Sequence, residues 1–229
     1  EVTKKAEQAD AEVVRELRRA GINENIGNIN AVNELMATGQ LMAYTRKHGN
    51  QGSKSIYGEN IIDSNDKLKE VLDSRDKLEA MYTNLEEAAG DELEEAIESS
   101  LTGTAEDPVD YDTFEELRIS NRQIRYISNL ARRNDYRVPY VKNGQAGLIN
   151  LTFVADDNDK GKISIKMNTA SWGELSVEAK VTQSDVSMYV KQDSRIVLSE
   201  DRSIYKYFQQ IEGDLKEQFG YDNVRINCV

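Results

Sequence analysis

Apolar and polar residues alternate in several short runs along the last third of the chain, residues 137–229. Polar turns separate the runs, and the dipeptide Asn143-Gly144 is typical of a tight hairpin turn. Alternation with a period of two predicts strands with one covered face, and its repetition predicts an antiparallel sheet. The inward positions are Ile149, Leu151, Phe153, Ile163, Ile165, Met167, Leu175, Val177, Ala179, Val181, Val186, Met188, Val190, Val224, Ile226 and Cys228.

A helical pattern over residues 201–219 precedes the last of these runs. We expect this helix to cover the sheet, with Leu215 and Phe219 near its end. The residues predicted to be buried beneath them are Ile165, Val177, Val190, Val224 and Ile226.

The first 110 residues instead repeat apolar positions at steps of three and four, and no proline occurs before Pro108. This pattern predicts an almost wholly helical region. Gly21 ends a first helix over residues 11–20, and Asn23 can cap the second. The buried stripe predicted for the second helix is Ile26, Ile29, Val32, Met36 and Ala43.

The remainder of this region is predicted to be a loop followed by one long helix. Residues 49–58 are rich in Gly and Ser and are typical of a loop. The long helix covers about residues 68–89, and Gly90 kinks or ends it. Helical spacing then continues to about residue 101, with Leu93 and Ile97 inside.

An acidic linker over residues 102–110 leads to an Arg-rich connecting helix over residues 111–136. Ser120 and Gln123 have the spacing of a capping box, which predicts a helix start there, with the helix packing on the sheet. Its inner face is Ile124, Ile127 and Leu130. The predicted fold class is therefore α+β. An N-terminal helical region, residues 1–110, precedes a mostly antiparallel sheet covered by one or two helices, residues 137–229.

Charge is distributed unevenly along the 229 residues, which carry 41 acidic and 29 basic side chains and a net charge of -12. Residues 1–110 hold 24 of the acidic and 12 of the basic ones, so all of the net charge lies there. An acidic chain repels phosphate backbones, which argues against nucleic acid as a partner. No apolar run approaches the length of a membrane span, so we expect no membrane insertion. Because the sequence begins at Glu1, we expect a fragment of a longer protein.

Few residues of the sequence are candidates for catalysis or for binding a metal or cofactor. With one Cys, Cys228, and one His, His48, neither an internal disulfide nor a Cys-and-His zinc site can form. Asp156 and its neighbours resemble the start of a calcium loop but lack the later Glu, and a hairpin turn is favoured. We therefore predict no catalytic, cofactor or metal residues and a chain that is not an enzyme.

Two features are candidates for contact with a protein partner. Arg118, Arg122 and Arg125 belong to an Arg-rich segment that either docks an acidic partner or phosphate, or pairs internally with the acidic helices. Trp172, with Gly173 and Glu174, stands between two predicted strands. A large aromatic in such a loop either plugs the sheet edge or marks a contact site.

Residues 163–181 resemble the C-terminal domain of flagellar hook-length control proteins. The resemblance lies in the strand Ile163-Ser-Ile-Lys-Met167, then Ser171-Trp-Gly-Glu-Leu-Ser-Val177. A further strand, a helix and a last strand follow in the same order. Residues 116–126 and the repeat Glu-Asn-Ile, at Glu24 and Glu59, are also similar to an uncharacterised clostridial family associated with flagellar operons.

The resemblance implies a non-enzymatic role in hook-length control and type III export switching. It implies a cytoplasmic protein that is exported through the flagellar type III apparatus. Its C-terminal domain would contact the cytoplasmic domain of the export-gate switch protein. Two alternatives stay open at this point: a surface or secreted binding module with another partner, and an enzyme with a shallow site.

Overall fold

The computed structural model describes residues 2–39, 41, 45–47, 53–55, 62, 64–102, 111–142, 145–156, 160–169, 173–193 and 202–228. The helices are α1 (Val2–Ala20), α2 (Ile26–Thr38), α3 (Asn65–Leu72), α4 (Arg75–Thr102), α5 (Tyr111–Ala131) and α6 (Arg202–Phe219). The strands are β1 (Thr45–Lys47), β2 (Ser53–Ser55), β3 (Asp135–Lys142), β4 (Gln145–Asp156), β5 (Lys160–Thr169), β6 (Gly173–Val181), β7 (Asp185–Asp193) and β8 (Asn223–Cys228). This order confirms the predicted α+β class.

The chain divides into two compact units. One, called here the helical unit, comprises Glu1–Arg133 and Pro139–Gly147, and the other, the sheet unit, comprises Asn134–Val138 and Leu148–Val229. The Arg-rich helix α5 belongs to the helical unit, where it packs against α1, α2 and α4.

Helix α5 is continuous from residue 111 to residue 131, so the predicted helix start at Ser120 is wrong. Ser120 and Gln123 are instead fully buried in the middle of the helix. The side-chain amide of Gln123 donates a hydrogen bond to the carbonyl oxygen of Ala31 in α2, at 3.0 Å. A polar side chain is tolerated in this core because its hydrogen bond is made across the helix pair. The predicted inner residues Ile124, Ile127 and Leu130 are buried as expected.

The turn between α1 and α2 is closed by backbone bonds. Gly21 has a positive φ of 69°, which favours glycine, and its N–H donates to the carbonyl of Arg18 at 3.0 Å. The N–H of Ile22 donates to Leu17 at 2.9 Å, which completes the pattern that commonly ends helices. The cap of α2 is Asn25 rather than the predicted Asn23, since the Asn25 side chain accepts from the amide of Asn28.

The buried stripe of α2 is narrower than predicted. Ala31, Val32 and Leu35 are buried, whereas Ile26 is 73% exposed and Met36 is 40% exposed. Because α2 begins at Ile26, that side chain lies at the exposed first position of the helix. Ala43 lies outside the described residues.

Two short strands correct the prediction of an almost wholly helical first region. In β1 and β2, Thr45 pairs with Ser55 and Lys47 pairs with Ser53, antiparallel. β2 falls inside the stretch predicted to be a loop. Strands of three residues are too short to show a period of two, so the sequence pattern carried no signal for them. His48 lies outside the described residues.

The predicted long helix is broken earlier than expected. Ser74, between α3 and α4, accepts a hydrogen bond from the amide of Lys77 at 3.2 Å, as a residue capping a new helix does. Helix α4 then continues through Gly90 without ending there. Ile97 is 42% exposed, so its predicted inward position is wrong, while Leu93 is half-buried.

The six-stranded sheet has the order β3-β4-β5-β6-β7-β8. β4 to β7 pair antiparallel in sequence, and β8 lies parallel to β7 after the connecting helix α6. The register aligns predicted inward residues in one row across five strands. That row is Leu151, Ile165, Val177, Val190 and Cys228. The prediction of a mostly antiparallel sheet is therefore confirmed. Phe153 is an exception to the predicted inward positions, because it is 41% exposed.

The part of α6 that packs on the sheet differs from the prediction. Phe208 packs against buried Val190, together with Leu175, Val177 and Ile226. Phe219, predicted to be buried, is 69% exposed. It is the last residue of α6, just before Gly220 with φ 72° turns the chain towards β8, so it lies at the end of the covering helix.

Candidate functional site

One face of α5 lines a polar cleft in the helical unit. Its residues recur at steps of three and four, which places them on a single helix face. They are Arg118, Asn121, Arg122, Arg125 and Asn129. The cleft has a volume of about 390 Å³ and is called here the Arg–Asn cleft. The three arginines predicted as partner-binding residues therefore share one cavity.

The opposite wall is the turn between α1 and α2 with the first turn of α2. Asn23, Asn25 and Asn28 line it, together with Gly21 and Ile22. The Asn28 side chain donates to the carbonyl oxygen of Asn23 at 2.9 Å, and its backbone amide donates to Asn25 Oδ1 at 2.9 Å. These bonds hold the wall in place and leave the cleft lined by amide groups.

Arg118 is the arginine of the cleft with an internal partner. Its Nη1 donates to Glu115 Oε1 at 2.6 Å, one turn earlier on α5. Its guanidinium carbon also lies 5.9 Å from the ring centre of Phe114, in cation–π range. Arg118 therefore brings little unneutralised charge to the cleft.

Arg122 and Arg125 differ from Arg118, because neither forms an ion pair or hydrogen bond with the part of the chain that the structure describes. The Arg122 guanidinium lies directly over Gly27 in the first turn of α2. A Cβ at Gly27 would come within 2.5 Å of its Cζ atom, so the glycine makes the space that the guanidinium fills. Half-buried Arg122 and exposed Arg125 are the available cations of the cleft.

Other arginines of the segment are used inside the helical unit. Arg132 donates to Glu86 on α4 at 2.9 Å, which is the internal pairing that the alternative interpretation predicts. Arg133 donates to the carbonyl of Arg19 at the end of α1, where a cation is favoured. Within the Arg-rich segment, Arg132 and Arg133 therefore form internal contacts, whereas Arg122 and Arg125 are available to a ligand.

The second predicted contact region lies in the sheet unit. Gly173 begins β6 with a φ of 66° and pairs with Thr169, and the exposed Glu174 pairs with Asn168. Trp172 lies outside the described residues. Neither Gly173 nor Glu174 takes part in the Arg–Asn cleft.

Burial and hydrogen bonds affect the pKa of two groups in the sheet unit, the Cys228 thiol and the Asp185 carboxyl. Burial raises the pKa of the Cys228 thiol, which disfavours the reactive thiolate. Asp185 accepts from Asn223 Nδ2 at 2.8 Å and from Ser184 Oγ at 3.0 Å. These hydrogen bonds hold the pKa of Asp185 below its usual range, and the bond from Asn223 has the largest effect. They join the start of β7 to the start of β8.

The described residues contain no group of three or more His, Cys, Asp or Glu side chains that could hold a metal ion. Over the same part of the chain, every helix is too short or too polar to cross a membrane.

Sequence reasoning found the arginine face but missed the asparagine wall. The signal was the density of Asn between residues 23 and 28, which flanks a helix start. No protein family, curated protein or solved structure matches the chain.

Proposed function

We propose that this chain is a non-enzymatic protein-interaction module of flagellar hook-length control and type III export switching. The order β5, β6, β7, α6 and β8 supports the proposal, because it is the order of elements on which the family resemblance rests. The proposed partner is the cytoplasmic domain of the export-gate switch protein. The proposed location is the cytoplasm, with export through the flagellar type III apparatus.

The observation that carries an interaction role is exposed apolar surface on the sheet unit. Tyr207, Ile211 and Phe219 on α6 are 59%, 37% and 69% exposed. Large apolar side chains grouped on a surface often mark protein contacts, and aromatic ones contribute most to binding. The proposed contact surface is therefore formed by these exposed side chains of α6, with Gly173, Glu174 and Trp172 as further candidates.

A binding titration of the full chain against that cytoplasmic domain, from the same organism, tests the proposal. We expect Phe219→Ala to weaken binding about tenfold or more, as loss of an aromatic anchor does. Gln210→Ala is the matched control, since Gln210 is an exposed polar residue on the same helix. Trp172→Ala and Arg125→Glu test the two other predicted contacts in the same titration.

A genetic experiment separates the flagellar role from binding in general. Deletion of the gene is expected to change hook length and reduce motility. If wild-type protein does not bind the export-gate domain and the deletion strain has normal hooks, the flagellar proposal is wrong. Binding that is equal for wild type, Phe219→Ala and Trp172→Ala would show that the contact surface lies elsewhere.

A further inference from the structure

We infer that the Arg–Asn cleft is a binding site for a phosphoryl dianion, either inorganic phosphate or the phosphate of a small monoester. The inference uses only residues of the helical unit. It is independent of the proposed flagellar role, which rests on the sheet unit.

Charge is the first argument. The described residues that line the cleft include no Asp or Glu, although acidic residues outnumber basic ones by 41 to 29 in the chain. Arg122 and Arg125 lie one helical turn apart on the same face of α5. Two cations held together without a counter-charge repel each other, and a dianion between them neutralises both. Guanidinium groups match phosphate well, because each can donate two parallel hydrogen bonds.

The position of α2 is the second argument. Its amino-terminal end, with Asn25 and Asn28, lines the cleft, and a helix amino terminus carries a partial positive charge. Arg122 lies over Gly27 in that same first turn. A guanidinium next to the positive end of a helix is unfavourable without a counter-charge. An anion bound there is attracted by both the guanidinium and the helix amino terminus.

Size and donor arrangement complete the argument. A tetrahedral phosphate accepts hydrogen bonds from several directions, and the cleft offers guanidinium groups on one wall and Asn amides on the other. A volume of about 390 Å³ lies within the range of small-ligand sites. It exceeds the needs of phosphate alone, so a monoester with a small organic group also fits.

The test is a titration of the 229-residue chain at low ionic strength, by calorimetry and by phosphorus NMR. The probes are inorganic phosphate, O-phosphoserine and succinate. We expect saturable binding of at least one phosphate probe, with succinate clearly weaker. Tighter binding of phosphate than of O-phosphoserine identifies the free anion as the ligand, and the reverse order identifies a monoester.

Arginine variants test the site. Arg122→Gln and Arg125→Gln should each weaken phosphate binding about tenfold or more, the usual effect of losing charge-assisted hydrogen bonds. Arg15→Gln is the matched control, because Arg15 is exposed on α1, carries the same charge and does not line the cleft. It should leave binding within about twofold of wild type, because Arg15 does not line the cleft and so loses no hydrogen bond to the ligand when it is replaced.

Gly27→Ala separates geometry from charge. The added methyl group must displace the Arg122 guanidinium, yet the net charge stays the same and alanine favours the helix. We expect weaker phosphate binding with unchanged helical content. Three outcomes would overturn the inference: no saturable binding of either phosphate probe, equal binding of succinate, or equal losses in Arg15→Gln and Arg122→Gln.

Discussion

The two phenylalanines of α6 allow a matched test of how this helix holds the sheet. Phe208 is half-buried and packs against Val190, which is 3% exposed on β7. Phe219, on the same helix, is 69% exposed. The sequence predicted that Phe219 anchors the helix, and the structure gives that role to Phe208. Replacing each by alanine removes the same atoms from two different environments.

The expected magnitudes follow from burial. Truncation of a fully buried Phe costs about 3–5 kcal/mol, so a cost of about 2–3 kcal/mol is expected for the half-buried Phe208. Full burial of a Phe side chain is worth about 1.5–3 kcal/mol, and Phe219 has roughly a third of its surface covered. The loss at Phe219 is therefore below about 1 kcal/mol, and the better helix propensity of alanine offsets about half of it.

The assay is urea unfolding of the full chain followed by circular dichroism, with hydrogen exchange of β7 and β8 amides as the local probe. Phe208→Ala should lower the free energy of unfolding and shorten the protection of both strands. Phe219→Ala should leave both close to wild type. If Phe219→Ala destabilises the protein as much as Phe208→Ala, the described packing of α6 on the sheet is wrong.

Two further predictions concern the buried amide of the helical unit and the β7–β8 junction. Gln123→Ala removes the buried hydrogen bond to Ala31 and leaves a cavity, so we expect a loss of about 2–3 kcal/mol in thermal or urea unfolding. The exposed Glu116→Ala on the same helix should change stability by less than about 0.5 kcal/mol. Asn223→Ala should raise the pKa of Asp185 towards the ordinary value, as measured by NMR titration of its carboxyl carbon. A carboxyl whose pKa is lower in the folded state than in the unfolded state stabilises the fold at pH above the unfolded-state pKa. This stabilisation is lost as the pH falls through the folded-state pKa. The Asn223→Ala variant should therefore begin to unfold in acid at a higher pH than wild type.

The sheet was the most predictable part of the fold. Each antiparallel strand shows a period of two, and that period fixes which residues share a face whatever the strand order. Ile165, Val177 and Val190 therefore align across neighbouring strands as their alternation indicates. The parallel pairing of β8 with β7 was not predictable in this way, because alternation does not encode strand direction.

Helix ends and exposed apolar residues were less predictable. Asn23 and Asn25 both suit a helix cap, and the choice of Asn25 depends on hydrogen bonds that the spacing alone does not reveal. Similarly, Phe219 continues the apolar spacing of α6, but spacing does not show where the sheet beneath the helix ends. Local hydrogen bonds of Asn28 decide the first case, and the extent of the sheet beneath α6 decides the second.

Only one wall of the Arg–Asn cleft was predictable from the sequence, because only that wall lies on a single helix. Arg118, Arg122 and Arg125 share a face because of helical periodicity, and that half of the site is readable from residue spacing. The other wall, residues 21–28, lies far earlier in the chain and reaches the cleft only through the packing of α2 against α5. The glycine that makes room for a guanidinium, Gly27, has no such signal at all. Because the two walls are brought together by that packing, substitutions that loosen the contact between α2 and α5 should weaken ligand binding even when every residue lining the cleft is retained.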